Sequence, residues 1–98
     1  MELSYSDIER KIKAVKPELE AEFGVRKIGI FGSYAKGLQT EKSDIDIIVE
    51  IERPMGLIGF IKIEQYLSRL LRRSVDLLTP ESIKPFLRED ILKEVKYV

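Results

Sequence analysis

Two aspartates one residue apart, Asp44 and Asp46, open the apolar run Ile45-Asp46-Ile47-Ile48-Val49 and carry the most chemistry in this chain. Side chains along a strand alternate between faces, so positions i and i+2 present both carboxylates on one side, about 7 Å apart along the backbone. Two such groups can share divalent cations. On its own an Asp-x-Asp pair is most often a solvated turn, but a glycine-rich turn, Gly32-Ser33-Tyr34-Ala35-Lys36-Gly37, stands just upstream. Gly32 ends the apolar run Ile28-Gly29-Ile30-Phe31, where a missing side chain lets a ligand approach the backbone. Ser33 adds a hydroxyl and an amide at the start of a helix, a setting that suits phosphate oxygens. A third acid, Asp76, sits inside Ser74-Val75-Asp76-Leu77-Leu78, where it is out of place unless it is paired or coordinates a metal.

The elements that must position these groups follow from periodicity. Ser6-Asp7-Ile8-Glu9 has the form of a capping box and predicts a helix start at Ser6. Ile8, Ile12, Val15, Leu19 and Phe23 then recur every three or four residues as one apolar stripe, with Pro17 a point of kinking or restart and Gly24 the stop. Residues 25–31 read as a first strand. A polar loop over residues 38–42 leads to a second strand, residues 44–51, which is apolar almost throughout after its acids and so is expected mid-sheet, covered on both faces. Arg53-Pro54-Met55-Gly56 breaks the pattern, and residues 57–71 read as a long amphipathic helix ending in Arg72-Arg73. That pair favours a helix C-terminus, and reach to a triphosphate is the alternative role. Residues 74–78 read as a third strand. Thr79-Pro80-Glu81 supplies helix-start signals, Pro85 splits the last helical stretch, and residues 93–98 read as a tail.

Ninety-eight residues with 17 basic and 17 acidic side chains have a formal charge of zero, so no global field draws the chain to a polyanion. With no basic run interleaved with aromatics either, a stable nucleic-acid complex is not expected. There is no cysteine and no histidine. Disulfides, thiolate sites and imidazole bases are thereby excluded, and any catalytic metal must sit on oxygen ligands. No apolar run approaches the roughly 20 residues of a membrane span and no secretory signal opens the chain, which predicts a cytoplasmic protein. The absence of asparagine and a charged fraction of 35% lean toward a heat-adapted source. Length predicts one domain over residues 1–98.

Gly32-Ser33, ten intervening residues, then Asp44-Ile45-Asp46 resembles the Gly-Ser-x10-Asp-x-Asp signature of the polymerase-beta-like nucleotidyltransferase superfamily. The wording Gly-Ser-Tyr-Ala-Lys-Gly with Ser-Asp-Ile-Asp is similar to its minimal branch, the MNT-domain proteins. The resemblance runs from about Ser6 to the C-terminus. It implies an α/β (α+β) core, a small mixed sheet of three or four strands flanked by helices. It also implies transfer of AMP from ATP to a tyrosine of a HEPN-domain toxin, for which the chain would be the antitoxin.

On that reading Asp44 and Asp46 are ligands of two magnesium ions, and Asp76 joins them as ligand of the catalytic ion and as general base. Oxygen-ligated magnesium at about 2.0–2.1 Å needs only a few acids beside substrate phosphates and water. Gly32 and Ser33 hold the outgoing pyrophosphate, and Lys36, the nearest basic side chain, is assigned with them to nucleotide binding, its alternative being a solvated lysine on a short helix. Larger superfamily members carry a further helical domain for which this chain has no residues, so the cleft should be open and completed by a partner or a second copy. A non-catalytic antitoxin that neutralises its partner by complex formation is the competing expectation.

Overall fold

The first helix begins two residues earlier than the Ser6 box suggests. In the computed structural model, which describes residues 3–52 and 56–98, Ser4 caps α1 (Tyr5–Phe23): its hydroxyl accepts from the Asp7 amide at 3.2 Å while the Asp7 carboxylate accepts from the Ser4 amide at 3.1 Å. Asp7 stands at the third helical position counted from Ser4, so the reciprocal pair closes there. Pro17 lies inside α1 without ending it, and Gly24, at φ 67°, closes the helix in the left-handed region.

Strand β1 (Val25–Phe31) follows, then a five-residue helix α2 (Gly32–Lys36), β2 (Ile45–Ile51), α3 (Gly56–Leu71), β3 (Val75–Leu78), a 3-10 turn (Pro80–Ser82), α4 (Pro85–Glu94) and β4 (Lys96–Tyr97). Asp44 therefore precedes the second strand instead of opening it. Thr79-Pro80-Glu81 nucleates only the 3-10 turn, and Pro85, whose missing amide costs nothing at a first helical position, starts α4. The break read at Arg53-Pro54-Met55 lies outside the described residues.

The sheet has the order β3-β2-β1-β4, mixed as expected: β1 pairs antiparallel with β2 and with β4, while β2 and β3, joined through α3, run parallel. β2 is interior. Its alternation divides the protein into two apolar layers. Ile45, Ile47 and Val49 face the larger core with Ile28 and Ile30 of β1, Ile8, Ile12 and Leu19 of α1, and Ile63, Leu67 and Leu71 of α3. Each of these side chains contributes about 1.5–3 kcal/mol by its burial. On the opposite face Ile48 packs with Phe31 and Ile83 under Leu78, Ile91, Leu92 and Val95, so β2 is covered on this side only in its middle.

Of the residues read as a tail, Lys93 and Glu94 end α4 and Lys96–Tyr97 form β4, an edge strand of two residues fixed by neighbours far away in sequence. The Val98 amide donates to the Ile28 carbonyl at 2.9 Å, and Lys16 Nζ donates to the Val98 carbonyl at 2.8 Å. Gly29 makes room for this return: a Cβ there would run into Val95 Cγ1 and stand 3.2 Å from Tyr97 Cδ1 and 3.3 Å from the Lys96 carbonyl. Intrinsic strand propensity favours valine over glycine, but a backbone carbonyl cannot swing aside. Gly29→Val should therefore lower stability by about 1–3 kcal/mol. Denaturant midpoints measure this, and loss of exchange protection at the Val98 amide would place the damage at β4.

Candidate active site

The carboxylates gather at the end of the sheet where β1 finishes and β2 and β3 begin. Phe31 stands opposite Asp46 in the antiparallel pair, and Asp46 stands opposite Asp76 in the parallel pair. Neighbouring strands lie about 4.8 Å apart, so Asp46 and Asp76 point side by side from the face that α1 and α3 leave free. Asp76 is exposed there. The acid inside an apolar run thus owes its place to strand alternation, Val75 and Leu77 facing the core and Asp76 facing away. Asp44, exposed two residues before Asp46, lies within electrostatic range of it.

Asp46 carries a strongly perturbed carboxyl. Burial, then the charge of Asp76, then that of Asp44, then a hydrogen bond with Asp76 push its carboxyl from 3.8 up to about 6. Crowded carboxylates behave this way because both cannot ionise without repulsion, and a cation between them removes the difficulty. An all-oxygen donor set with an unrelieved negative field fits magnesium. Among the described residues no group of three or more acidic side chains is clustered closely enough to hold an ion unaided.

Gly32 closes the site from the β1 side. It has φ +74°, and a Cβ at this position would land on Asp46 Oδ2 and lie 3.0 Å from Asp46 Cγ. Backbone and carboxylate are therefore in direct apposition. Beyond it α2 is anchored by buried Tyr34 and Ala35, and no side chain caps its first amides. Those amides, Ser33 among them, are the donors a phosphate oxygen could use. Lys36 lies at the other end of α2, where its Nζ pairs with Glu94 Oε1 of α4 at 3.0 Å. The fold brings Gly32, Ser33, Asp46 and Asp76 together with Asp44 at the rim, and it directs Lys36 toward α4. Glu94 lies 58 residues from Lys36, and no local pattern announces that pairing. Arg88 is a further residue that periodicity passes over. Its guanidinium donates to the carbonyls of Pro80 at 2.8 Å and Ile83 at 3.1 Å, tying the turn after β3 to α4.

Comparison with known proteins identifies the family. The family model described as nucleotidyltransferase domain matches residues 12–98. A protein adenylyltransferase, MntA, of Thermococcus cleftensis is 45% identical over 96 residues, covering 98% of this chain and 97% of the relative. A solved structure described as a candidate minimal nucleotidyltransferase superposes with a TM-score of 0.82 at 30% identity, covering 96% of this chain and 95% of its own. A toxin-antitoxin crystal structure with AMP-PNP gives 0.69 at 27% identity, covering 97% of this chain and 72% of the matched one. With the motif on adjoining strands and this agreement along nearly its whole length, the chain belongs to the nucleotidyltransferase domain family.

Proposed function

We propose that residues 1–98 form a single minimal domain that transfers AMP from ATP to a tyrosine of a partner HEPN toxin in a magnesium-dependent reaction, and that the chain acts as that toxin's antitoxin in the cytoplasm. The observation that carries this reading is the register match of Asp46 with Asp76 directly against Gly32. The adenylyltransferase name of the 45% identical relative and the AMP-PNP complex of a toxin-antitoxin neighbour support the donor and the setting. The tyrosine and the HEPN class come from the motif resemblance.

The step joins the tyrosine oxygen to the α-phosphorus, breaks the α–β anhydride bond and releases pyrophosphate. Gly32 and Ser33 present backbone amides, and the Ser33 hydroxyl, to the departing phosphates. Asp44 and Asp46 supply the oxygen ligands, and Asp76, exposed beside Asp46, takes the proton of the attacking hydroxyl. Bound magnesium supplies charge neutralisation along the triphosphate and lowers the pKa of the attacking hydroxyl. Lys36 reaches phosphate only by leaving Glu94, a surface pair weak enough to exchange.

Incubation with labelled ATP and magnesium, with and without the product of the neighbouring gene as candidate toxin, tests the proposal. Label on the toxin is the expected result; a stable unlabelled complex would identify a binding-only antitoxin. Asp76→Ala should reduce transfer by roughly 10²–10⁴-fold while ATP affinity stays within a few-fold. Undiminished transfer would make Asp76 a structural acid.

A further inference from the structure

On the other side of the same sheet end, the N-terminal turns of α1 and the C-terminal end of α3 enclose a concavity of about 500 Å³. Arg10, Lys11, Arg72 and Arg73 line it, with Leu3 and Leu71 as its apolar floor. Asp7, its one acid, is engaged by the Ser4 amide and by Arg10 at 3.4 Å. Among the described residues Lys11, Arg72 and Arg73 have no carboxylate partner, so four cations face one acid in a chain of zero net charge.

Helix-terminus electrostatics explain a basic residue here but not the backbone of this one. Arg72 has φ 55°, the only described non-glycine residue in the left-handed region. Glycine takes that conformation freely at the end of a helix, as Gly24 and Gly37 do in this protein, whereas a side chain makes it costly. A strained residue whose charged side chain lines a cavity points to a use for that side chain. Ser74, next but one after Arg72, accepts from the Ile45 amide at 2.9 Å, and Asp76 follows Arg73 by three residues, no more than about 10 Å of backbone. Whatever occupies the concavity is held at the end of the sheet where Asp46 and Asp76 stand.

We infer that this concavity docks an acidic, leucine- or aromatic-bearing segment of the acceptor protein. Guanidinium forks pair with carboxylates, and the leucine floor matches an apolar peptide side chain better than a phosphodiester backbone. The inference rests on the reading that the acceptor is a protein. Its test uses a fluorescent blocked peptide, Glu-Leu-Glu-Tyr-Glu-Leu-Glu, its glutamine counterpart, and a pentanucleotide carrying an equal number of negative charges, each titrated by anisotropy at two salt concentrations.

The acidic peptide should bind more tightly than either control. Arg72→Gly should weaken it by about 3–10-fold and Lys11→Gln/Arg72→Gly/Arg73→Gln by about 30-fold or more, with ATP affinity unchanged. Because Arg72→Gly relieves backbone strain, it should melt no lower than the parent, so lost binding cannot be ascribed to misfolding. Tighter binding of the pentanucleotide, or peptide binding indifferent to all these substitutions, overturns the inference. A parallel loss of ATP affinity would assign the arginines to the triphosphate and overturn it as well. Asp44→Asn/Asp46→Asn separates the two readings, since it should abolish transfer and leave the peptide bound.

Discussion

Asp46→Asn will abolish transfer and, at pH 8 without metal, make the protein more stable than the parent. The two effects share one cause. Asp46 is held at about 6 against an ordinary 3.8 because burial and the charges of Asp76 and Asp44 oppose its ionisation. The folded state therefore binds this proton more tightly than the unfolded chain does. Between about pH 4 and pH 6 the folded protein carries the extra proton, so stability falls as pH rises through that window, and above it the full cost of a charged Asp46 is present. Raising a carboxyl that far corresponds to about 3 kcal/mol at most, and solvent screening of a half-exposed side chain leaves about 1–2 kcal/mol. Asparagine removes the charge at nearly equal size.

In EDTA at pH 8 the variant should thus melt roughly 5–10 °C higher than the parent, a gain that shrinks toward zero at pH 4.5, where the parent carboxyl is already protonated. Saturating magnesium and ATP should narrow the difference from the other side by stabilising the parent alone. Transfer should fall by roughly 10³-fold or more, as expected for losing a ligand worth several kcal/mol in the transition state. A variant that melts lower than the parent at pH 8 would show that Asp46 is a structural acid, and the assignment of Asp46 to a cation would go with it.

That strain is invisible in the spacing of the motif. Asp44 and Asp46 can be placed on one side of the chain from i, i+2 alternation, and α1, β1, β2, α3 and β3 emerge from periodicity because each buries a regular apolar stripe in the core. Asp76 is another matter. Its run locates it on a strand, but only the parallel register, set by the α3 crossover, puts it opposite Asp46 and not one residue along, where its side chain would face the core. The start of α1 escaped because Ser4 and Ser6 both precede a helix-like pattern, and which serine caps is settled by the reach of Asp7. β4 escaped because two residues cannot show a period; its hydrogen bonds to Ile28 and Lys16 are tertiary facts. The same holds for Lys36, whose pairing with Glu94 depends on where α4 ends. Local chemistry was legible and long-range pairing was not.

Gly32→Ala tests the contact on which the site turns, and it should disable transfer by at least about 10²-fold although it adds one methyl group and replaces no carboxylate. Alanine at φ +74° costs about 1–2 kcal/mol from backbone crowding alone. The larger consequence is positional. The new Cβ lands on Asp46 Oδ2 and comes within 3.0 Å of Cγ and 3.3 Å of Cβ, so rotation of the carboxylate alone does not clear it, and the whole side chain or the strand must shift. Displacement of a reacting group by about 1 Å is enough for a 10²-fold loss. Moving Asp46 away from Asp76 also relieves their repulsion, which offsets part of the backbone cost and leaves a net destabilisation of only about 1 kcal/mol. Activity and stability should therefore separate: a melting point slightly below the parent, with transfer nearly gone. The distinguishing measurement is the Asp46 carboxyl titration by NMR, which should drop from about 6 toward 3.8 as its neighbours recede. If transfer and titration both match the parent, Gly32 merely turns the chain and does not hold Asp46 in place. If transfer is lost while the titration stays near 6, Asp46 has kept its place, and the damage lies in the approach of phosphate to the first amides of α2 instead.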